Sequence, residues 1–382
     1  MGGRIVVKIG SQVLCDEQGE LNLGVLEQLT GQIGRLANDG WQVLMVSSGA
    51  VAAGHGVAGD RLDRVSDPVA RKQVLAATGQ VRLMENYRSL FAGHNLTVAQ
   101  VLTSKSDFQT RRHYLNMRGC IDGLLTAGII PVINENDVVS ITELMFTDND
   151  ELAGLLAGMV NADLLCLLST VPGVFDGDPD DPATRCIETW DEETHQADDV
   201  VKRGASTLGR GGMHSKLAIA RKTARLGTEV VIADGRDPDI LTKVINRQPA
   251  GTRFPALGEA SSAKRWLATA DSHASGSVTV NEGAERALAD TSTLTSRLPV
   301  GIEAIDGHFS QGDVIPMRNP AGSVSGCGRV RCDHADARPL IGKRGQPAFL
   351  HYEYLYLLDY PGSVKAFRAG STDDDKQQAT LP

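Results

Sequence analysis

The sequence predicts an α/β fold in which a mainly parallel sheet is sandwiched by helices, followed by a small β-rich unit. Short apolar runs, typical of buried strands, alternate with longer stretches whose apolar residues recur at helical spacing. Most of these short runs are apolar throughout, which is typical of parallel strands covered on both faces. Polar and glycine-containing clusters follow several strands. Because ligands of such sheets bind beyond the carboxyl ends of the strands, these clusters are expected to meet at one edge.

Six strands and five long helical stretches are predicted in the first part of the chain. The strands are expected at 4–9, 42–46, 96–102, 129–133, 163–168 and 229–233. The helices are expected near 26–36, 68–91, 108–126, 152–159 and 213–226. Asp67 followed by Pro68 is typical of a helix start, because Asp caps the first turn and proline suits the first helical position.

Composition divides the chain into two domains, a linker and a tail. Residues 1–250 carry the alternating pattern, and 251–263 are rich in Gly, Ala, Ser and Pro, as expected of a linker. Residues 264–368 predict a small β-rich barrel or sandwich with one short helix near 283–289 and strands at 277–280, 313–317 and 328–332. The polar residues 369–382 are predicted to be a disordered tail.

The charge pattern argues against a nucleic-acid-binding protein. The net charge is −9, and residues 264–368 carry nearly equal numbers of basic and acidic side chains. Binding to phosphate backbones usually requires a basic excess. The N-terminus leads directly into a strand, so no secretory signal is predicted, and the longest apolar stretch is too short for a membrane span. Six scattered cysteines are expected to be reduced thiols. We therefore expect a cytoplasmic protein.

The site is predicted around residues 131–151. An apolar strand runs into Asn134–Asp137, and a second cluster, Asp148–Asp150, precedes an apolar helix. Asn and Asp at such positions are commonly turn and cap residues, and Asp148 is expected only to cap the helix that follows. Two clusters with several carboxylates would repel each other unless cationic groups lie among them. Lys8 and Lys216 are the candidate cations.

Both candidate lysines have an ordinary and a functional interpretation. A lone lysine near a strand end commonly extends to water, but Lys8 precedes Gly10 at the expected ligand edge. Residues 209–216, GRGGMHSK, begin a helix, where free N–H groups and the helix dipole can bind an anion. A plain helix-initiating turn fits those residues equally well. Similarly, Ser47–Gly49 could cap a helix or hold a carboxylate.

Two other kinds of site are disfavoured. The sequence has neither a Walker phosphate-binding loop nor a Gly-x-Gly-x-x-Gly after the first strand, so a dinucleotide-binding fold is not expected. Cys327, Cys332 and His334 could supply three metal ligands, but their loop offers no fourth, and an ordinary loop is favoured. No metal held by protein ligands is predicted.

Five motifs resemble those of the glutamate 5-kinases, which belong to the amino acid kinase family. They are Val-Val-Lys-Ile-Gly-Ser, Val-Ser-Ser-Gly-Ala-Val-Ala-Ala-Gly, Pro-Val-Ile-Asn-Glu-Asn-Asp, Asp-Asn-Asp and Gly-Gly-Met-His-Ser-Lys, in that order. Residues 264–368 resemble the PUA domain that bacterial members append. The resemblance covers nearly the whole chain, and the Asn-Glu-Asn-Asp motif with a PUA-like domain is specific within the family.

The resemblance implies a role for each matching position. Lys8 and Lys216 would contact the transferring phosphoryl group, with Asp150 holding both lysines. Glutamate would be bound by Ser48, Gly49, Asp137 and Asn149. ATP would be bound by Lys8, Gly10, Ser169, Thr170, Arg210, Gly211, Gly212, Met213, His214, Ser215 and Lys216. Mg²⁺ would be held through the ATP phosphates.

Three positions depart from the family pattern. Thr170 stands where Asp is usual, Arg210 where Thr is usual, and Gln12 where Ser is common. The first two lie on the nucleotide side, so ATP binding is more in question than glutamate recognition. His214 lies two positions before Lys216, which suggests a role in acid–base chemistry. A surface or packing role is favoured, because transfer to a carboxylate requires no proton transfer.

The resemblance implies ATP-dependent phosphorylation of the γ-carboxylate of L-glutamate, the first step of proline synthesis. It further implies a hand-off to glutamate-5-semialdehyde dehydrogenase, feedback inhibition by proline and a homodimer or homotetramer. Three alternatives remain open from the residues. They are another carboxylate or phosphate kinase of the same family, a non-enzymatic regulatory or RNA-binding protein, and a catalytically weakened paralogue.

Overall fold

The computed structural model describes most of the chain. The described residues are 2–16, 18–108, 111–139, 148–179, 181–195, 212–258, 276–284, 301–322, 324–343 and 349–357. Its first sheet is formed by β1 (Arg4–Ile9), β2 (Gln42–Ser47), β3 (Thr97–Thr103), β4 (Ile129–Glu135), β5 (Leu164–Ser169), β6 (Glu229–Asp234) and β7 (Thr252–Phe254). The first six strands confirm the predicted α/β pattern to within a few residues.

The strand order is β3-β4-β2-β1-β5-β6-β7, and every neighbouring pair is parallel except β6 and β7. The chain builds outward from β1 in one direction through β2 and later in the other through β5. The carboxyl ends of β1, β2 and β5 therefore surround a point where the winding reverses, which is where ligands of such sheets bind.

Strand β7 corrects two predictions. We expected β6 to be the last strand of this domain and residues 252–254 to belong to the linker. Thr252–Phe254 instead pairs antiparallel with β6, and Phe254 is buried and stacks on Trp190. A three-residue strand is too short to show a periodic pattern, so its burial comes from tertiary contacts that local sequence does not reveal.

Helices cover both faces of the first sheet. The described α-helices of this domain are α1 (Ser11–Leu14), α2 (Leu23–Asn38), α3 (Ala50–Ala58), α4 (Pro68–Ala92), α5 (Arg111–Thr126), α6 (Asn149–Met159), α7 (Gly212–Arg225) and α8 (Ile240–Ile245). Short 3₁₀ segments occur at Gly59–Arg64 and Lys105–Phe108. The side chain of Asp67 accepts a hydrogen bond from Ala70 N, which confirms the predicted start of α4.

Alternation along β1 decides which layer each of its side chains faces. Ile5, Val7 and Ile9 pack in the core cluster that includes α2, α4 and α8. Val6 packs in the opposite cluster, which includes α5, α6 and α7. Since side chains two apart share a face, Lys8 points to the same side as Val6, toward α6 and α7.

Helices α3 and α4 approach each other without room for side chains at two glycines. A Cβ atom on Gly79 would lie 1.8 Å from the carbonyl oxygen of Ala50, and one on Gly54 would lie 2.1 Å from the carbonyl oxygen of Leu75. Both obstacles are backbone atoms, which cannot rotate away. This contact presses α4 against the helix that follows β2.

The second sheet has five strands in the order β12-β11-β10-β8-β9, with β8 and β10 parallel and the other pairs antiparallel. Its strands are β8 (Gly276–Val280), β9 (Ile302–Gly307), β10 (Val314–Arg318), β11 (Val324–Val330) and β12 (Leu350–Leu357), and a short helix, α9 (His334–Ala337), follows β11. Its core contains Phe309, Met317 and Phe349. The β-rich character is confirmed, but β9 and β12 were not predicted.

Several sequence predictions lie wholly or largely outside the described residues. They are residues 259–263 of the linker, the C-terminal tail and all but the first residues of the helix expected near 283–289. Within the described part of the chain, no helix has both the length and the apolar composition needed to cross a membrane. All six cysteines are described, and none of them forms a disulfide.

Candidate active site

Lys8, Asp150 and Lys216 form a buried ion-pair cluster at the carboxyl edge of the first sheet. The Nζ atom of Lys8 lies 2.6 Å from Oδ1 of Asp150, and Nζ of Lys216 lies 2.8 Å from Oδ2. The Asp150 side chain is fully buried, and those of Lys8 and Lys216 are only 6% and 14% exposed. Two ammonium groups on one carboxylate leave an excess positive charge, which suits an anionic ligand.

The ionisation of Asp150 is set by competing effects. Burial alone would raise the pKa of its carboxyl group, because a charge is poorly solvated in the interior. The charges and hydrogen bonds of Lys8 and Lys216 outweigh burial and hold the pKa below its ordinary value. Asp150 is therefore a carboxylate at neutral pH, and it keeps the two lysines close together.

Asp148 links the helices that carry Asp150 and Lys216. Its Oδ1 atom accepts hydrogen bonds from the backbone N–H groups of Asp150 and Glu151, both at 3.0 Å, and so caps α6 as expected. We predicted that Asp148 acts only as a cap. That prediction is wrong, because its Oδ2 atom also accepts a 2.6 Å hydrogen bond from Ser215 Oγ at the start of α7.

A chain of neutral polar side chains lies beside the ion-pair cluster. Asn149, next to Asp150 in α6, donates from Nδ2 to Ser48 Oγ at 2.9 Å and to Asn134 Oδ1 at 3.2 Å. Asn134 in turn donates from its own Nδ2 to Gln80 Oε1 at 3.0 Å. The structure thus brings Ser48 and Asn149 together. It adds Gln80, which was absent from our predicted site, and gives a place in the hydrogen-bond chain to Asn134, which was predicted at the site without a role of its own.

A signal for Gln80 exists in the sequence. The buried face of α4 includes Ala76, Gly79, Leu83 and Tyr87, and Gln80 lies within this otherwise largely apolar stripe. A glutamine there must find a buried hydrogen-bond partner. The sequence alone could not identify that partner, because Asn134 is distant along the chain.

Asp137 and Gly49 lie at the ends of neighbouring strands. Asp137 follows β4, its side chain is 16% exposed, and its Oδ1 atom lies 3.6 Å from Nζ of the half-exposed Lys72. That pair is loose enough for another cation to replace Lys72. Gly49 precedes α3 with φ = 100°, a left-handed conformation that favours glycine. The turn after β2 therefore requires glycine for its backbone geometry.

The predicted nucleotide residues are only partly described. Gly10 donates its N–H to Leu168 O at 3.2 Å, which joins the turn after β1 to β5. Ser169 ends β5, and Thr170 follows it at the same edge of the sheet. Gly212 begins α7, the side chain of Met213 packs against the core and His214 is exposed. Arg210 and Gly211 lie outside the described residues.

Arg236 is a further polar residue at this edge that sequence analysis missed. Its guanidinium group pairs with Asp234 at 2.7 Å and donates to Thr170 O, also at 2.7 Å. It lines an open cavity together with Gln12, one of the positions that depart from the family pattern. Arg236 follows β6 and contacts a residue 66 positions earlier, so only the fold reveals the association.

No site for a protein-bound metal is found among the described residues. No group of three or more His, Cys, Asp or Glu side chains there is arranged to hold an ion. Cys327 is fully buried in β11, where it packs in a hydrophobic cluster. At the candidate site, both oxygens of Asp150 are engaged by lysines.

Comparison with known proteins identifies the class of protein that this fold and site define. Residues 3–234 match the amino acid kinase family, and residues 276–346 match the PUA domain. The chain belongs to the amino acid kinase family and carries a PUA domain.

Individual relatives narrow the class further. A glutamate 5-kinase of Chlorobaculum tepidum is 44% identical over 93% of this chain and 97% of its own length. Those of Bacteroides thetaiotaomicron and Myxococcus xanthus are 41% and 39% identical over 93% and 92% of this chain, and 98% and 93% of their own lengths. Within its family, the chain therefore belongs to the glutamate 5-kinases.

Proposed function

We propose that this chain transfers the γ-phosphoryl group of ATP to the γ-carboxylate of L-glutamate, forming γ-glutamyl phosphate. The proposal rests on the Lys8–Asp150–Lys216 cluster. This cluster lies beside the chain of neutral polar side chains formed by Ser48, Asn149 and Asn134, which we call the amide chain after its two asparagines. One cluster offers positive charge to a phosphoryl group. The other offers neutral hydrogen-bonding groups to an amino-acid acceptor.

The chemistry requires charge neutralisation more than proton transfer. A γ-carboxylate has a pKa of about 4.3, so at neutral pH it is already a nucleophile and needs no general base. The obstacle is its repulsion by the triphosphate. Phosphoryl transfer depends mainly on positioning and on stabilising charge in the transition state. Lys8 and Lys216 supply that positive charge, and Asp150 keeps their ammonium groups in place.

The remaining residues divide between the two substrates. Ser48, Gly49, Asp137 and Asn149 bind glutamate, with Asp137 exchanging Lys72 for the α-ammonium group. Gly10, Ser169, Thr170 and residues 210–216 bind ATP. Mg²⁺ would be supplied with ATP and would neutralise its phosphates, because both oxygens of Asp150 are already engaged by the lysines.

The wider role follows from the product. An acyl phosphate is short-lived and would be passed to a reductase, glutamate-5-semialdehyde dehydrogenase, in proline synthesis, with proline as feedback inhibitor. The cytoplasmic location and the homodimer or homotetramer remain predictions. RNA binding by the PUA domain has no support in the charge pattern of residues 264–368.

The test measures ADP formation by the purified protein with Mg-ATP, in the presence and absence of L-glutamate. We expect ADP formation to depend on L-glutamate, and hydroxylamine to trap the product as γ-glutamyl hydroxamate. Equal rates with and without L-glutamate would contradict the proposal. Aspartate, N-acetylglutamate and UMP serve as alternative acceptors, and a preference for one of them would identify another member of the family.

A further inference from the structure

Gln80 lies one step behind the amide chain of the proposed glutamate site. It is 7% exposed and faces the core from α4, and its Oε1 atom accepts the 3.0 Å hydrogen bond from Asn134 Nδ2. Asn134 itself is 3% exposed. A hydrogen bond between two buried amides has a direction, because the oxygen can only accept and the nitrogen can only donate.

Two contacts set the direction of the Asn134 amide, the acceptor on Gln80 and the backbone donor of Glu135, and that direction is passed on to Asn149. Because the Nδ2 atom of Asn134 faces Gln80, its Oδ1 atom faces the other way and accepts from Asn149 Nδ2 and from Glu135 N, the latter at 2.9 Å. Asn149 must then present its nitrogen to Asn134. The same nitrogen also donates to Ser48 Oγ at 2.9 Å, so both of its hydrogens are used.

As a result, the side-chain oxygen of Asn149 is a hydrogen-bond acceptor that receives no hydrogen bond from the described residues. The Oδ1 atom of Asn149 is buried and has no hydrogen-bond partner among the residues that the structure describes. A buried unpaired carbonyl oxygen is costly, and the cost is removed when a ligand supplies an N–H group. An α-ammonium group supplies three.

We propose that Gln80 is a positioning residue for amine recognition: through Asn134, it fixes the amide orientation of Asn149 so that Oδ1 accepts from the α-ammonium group of the substrate. The inference rests on the proposed function, because it concerns how the same site selects an amino acid. In this proposal α4 contributes to substrate recognition without contacting the substrate.

Two contacts fix the position of α4, and therefore of Gln80, relative to β2 and the turn that follows it. The close approach of α3 and α4 at Gly54 and Gly79 places α4 at a fixed distance from the turn after β2. Near the other end of the same helix, the hydroxyl groups of Tyr87 and Ser47 are 2.7 Å apart. The helix is therefore bonded to β2 near the point where Ser48 begins the site.

Gln80→Met tests the proposal in the full-length enzyme, because methionine has a similar shape and its thioether sulfur is only a weak acceptor for the bond from Asn134. Without that acceptor, only the N–H group of Glu135 still orients the Asn134 amide, so Asn134 and Asn149 reverse their amides more readily. We expect the KM for glutamate to rise about tenfold, the loss of roughly one directed hydrogen bond to a charged group, while kcat and the KM for ATP change less than about threefold. Gln80→Leu replaces this variant if it does not fold.

Glutarate separates amine recognition from general damage. It has both carboxylates of glutamate but no amine, so its Ki as a competitive inhibitor should be the same in wild type and Gln80→Met. Gln32→Met is the matched control. Gln32 is a buried glutamine of α2 that accepts a hydrogen bond from Leu241 N and contacts none of the site residues named above. Gln32→Met should lower Tm without changing the KM for glutamate or the Ki for glutarate.

A second comparison tests the route through Asn134. In an Asn134→Ala background, Gln80→Met should change the KM for glutamate by less than about twofold, because the step it acts through is already missing. If the wild-type activity depends on glutamate but Gln80→Met leaves the KM for glutamate unchanged, this inference alone is overturned. An equal rise in glutarate Ki, or full additivity with Asn134→Ala, also overturns it. A wild type that ignores glutamate overturns the proposed function, and this inference with it.

Discussion

The two halves of the site begin at neighbouring residues of α6 but are built on different physical principles. Asp150 enters a cluster of full charges with Lys8 and Lys216, whereas Asn149 enters a chain of neutral amides with Asn134 and Gln80. Charges act over distance and tolerate some freedom in geometry. Amides act only at contact and only in one direction.

Under the proposed function, this difference explains how one helix start would serve two tasks. Neutralising a phosphoryl group needs a strong field, which ammonium groups provide. Recognising one small amino acid needs directed donors and acceptors, which amides provide at little electrostatic cost. The comparison predicts that variants on the charged side lower kcat and that variants on the amide side raise the KM for glutamate.

Lys216→Ala is expected to have the largest effect, together with Lys8→Ala. Removing one group that stabilises charge in the transition state typically lowers kcat by ~10²–10³-fold. The KM for glutamate should change little, because neither lysine belongs to the amide chain. Steady-state kinetics at saturating ATP measure both constants. Near wild-type kcat in either variant would remove that lysine from the proposed chemistry.

Asp150→Asn should lower kcat by about 10²-fold, because the two ammonium groups lose the carboxylate that positions them. It also changes the dependence of stability on pH. The pKa of Asp150 is lowered in the folded state, so its ionised form stabilises the fold above the unfolded-state pKa, and this contribution is lost as the pH falls through the folded-state pKa.

Thermal unfolding across the acid range measures that second effect. Asp150→Asn should have a lower Tm than wild type at neutral pH, because it leaves the buried lysines unpaired. Its Tm should fall less on acidification, since the variant has no Asp150 carboxylate to protonate. Parallel Tm curves for the two proteins would show that Asp150 does not contribute to acid unfolding.

Asp137→Asn should raise the KM for glutamate by tenfold or more, with the KM for ATP little changed. A charge-assisted hydrogen bond contributes on the order of 1.5–3 kcal/mol, and an amide in place of the carboxylate loses the charge pairing. Asp148→Asn is a poor control, because Asp148 also accepts from Ser215. Asp67→Asn is better, since it lies at the cap of α4 and Asn caps equally well. An unchanged KM for glutamate in Asp137→Asn would show that Asp137 does not bind its amine.

The smallest effect is expected from removal of the second domain. A chain ending after Gly258 keeps β7 and the hydrogen bond from Leu257 N to Ala224 O, so kcat should stay within about threefold of wild type. A chain ending after Gln248 lacks β7 and should unfold at a lower temperature. Complete inactivity of the longer chain would show that the PUA domain completes the site.

The sequence predicted most of the first sheet because local pattern determines it. The strands before Gly10, Ser48 and Asn136 are largely apolar runs, and the start of α4 is marked by Asp67 and Pro68. The motifs that resemble the family located Lys8, Asp150 and Lys216 without any knowledge of distance.

The rest depends on contacts between distant residues. Gln80 and Asn134 are 54 positions apart, and Arg236 and Thr170 are 66 apart. Each pair consists of ordinary polar residues that local pattern assigns to a helix, a strand end or a loop. β7 was missed for the same reason, because three residues become a strand only when β6 lies beside them.

The glycine contact between α3 and α4 limits how this site can change through evolution. At Gly54 and Gly79 even one methyl group meets backbone atoms, so no substitution at either glycine is accommodated unless the two helices move apart. A variant enzyme that accepts a bulkier amino acid must obtain space elsewhere, from the strand ends or from residues around Asp137. We expect the helix crossing to be retained in such variants while their substrate preference changes.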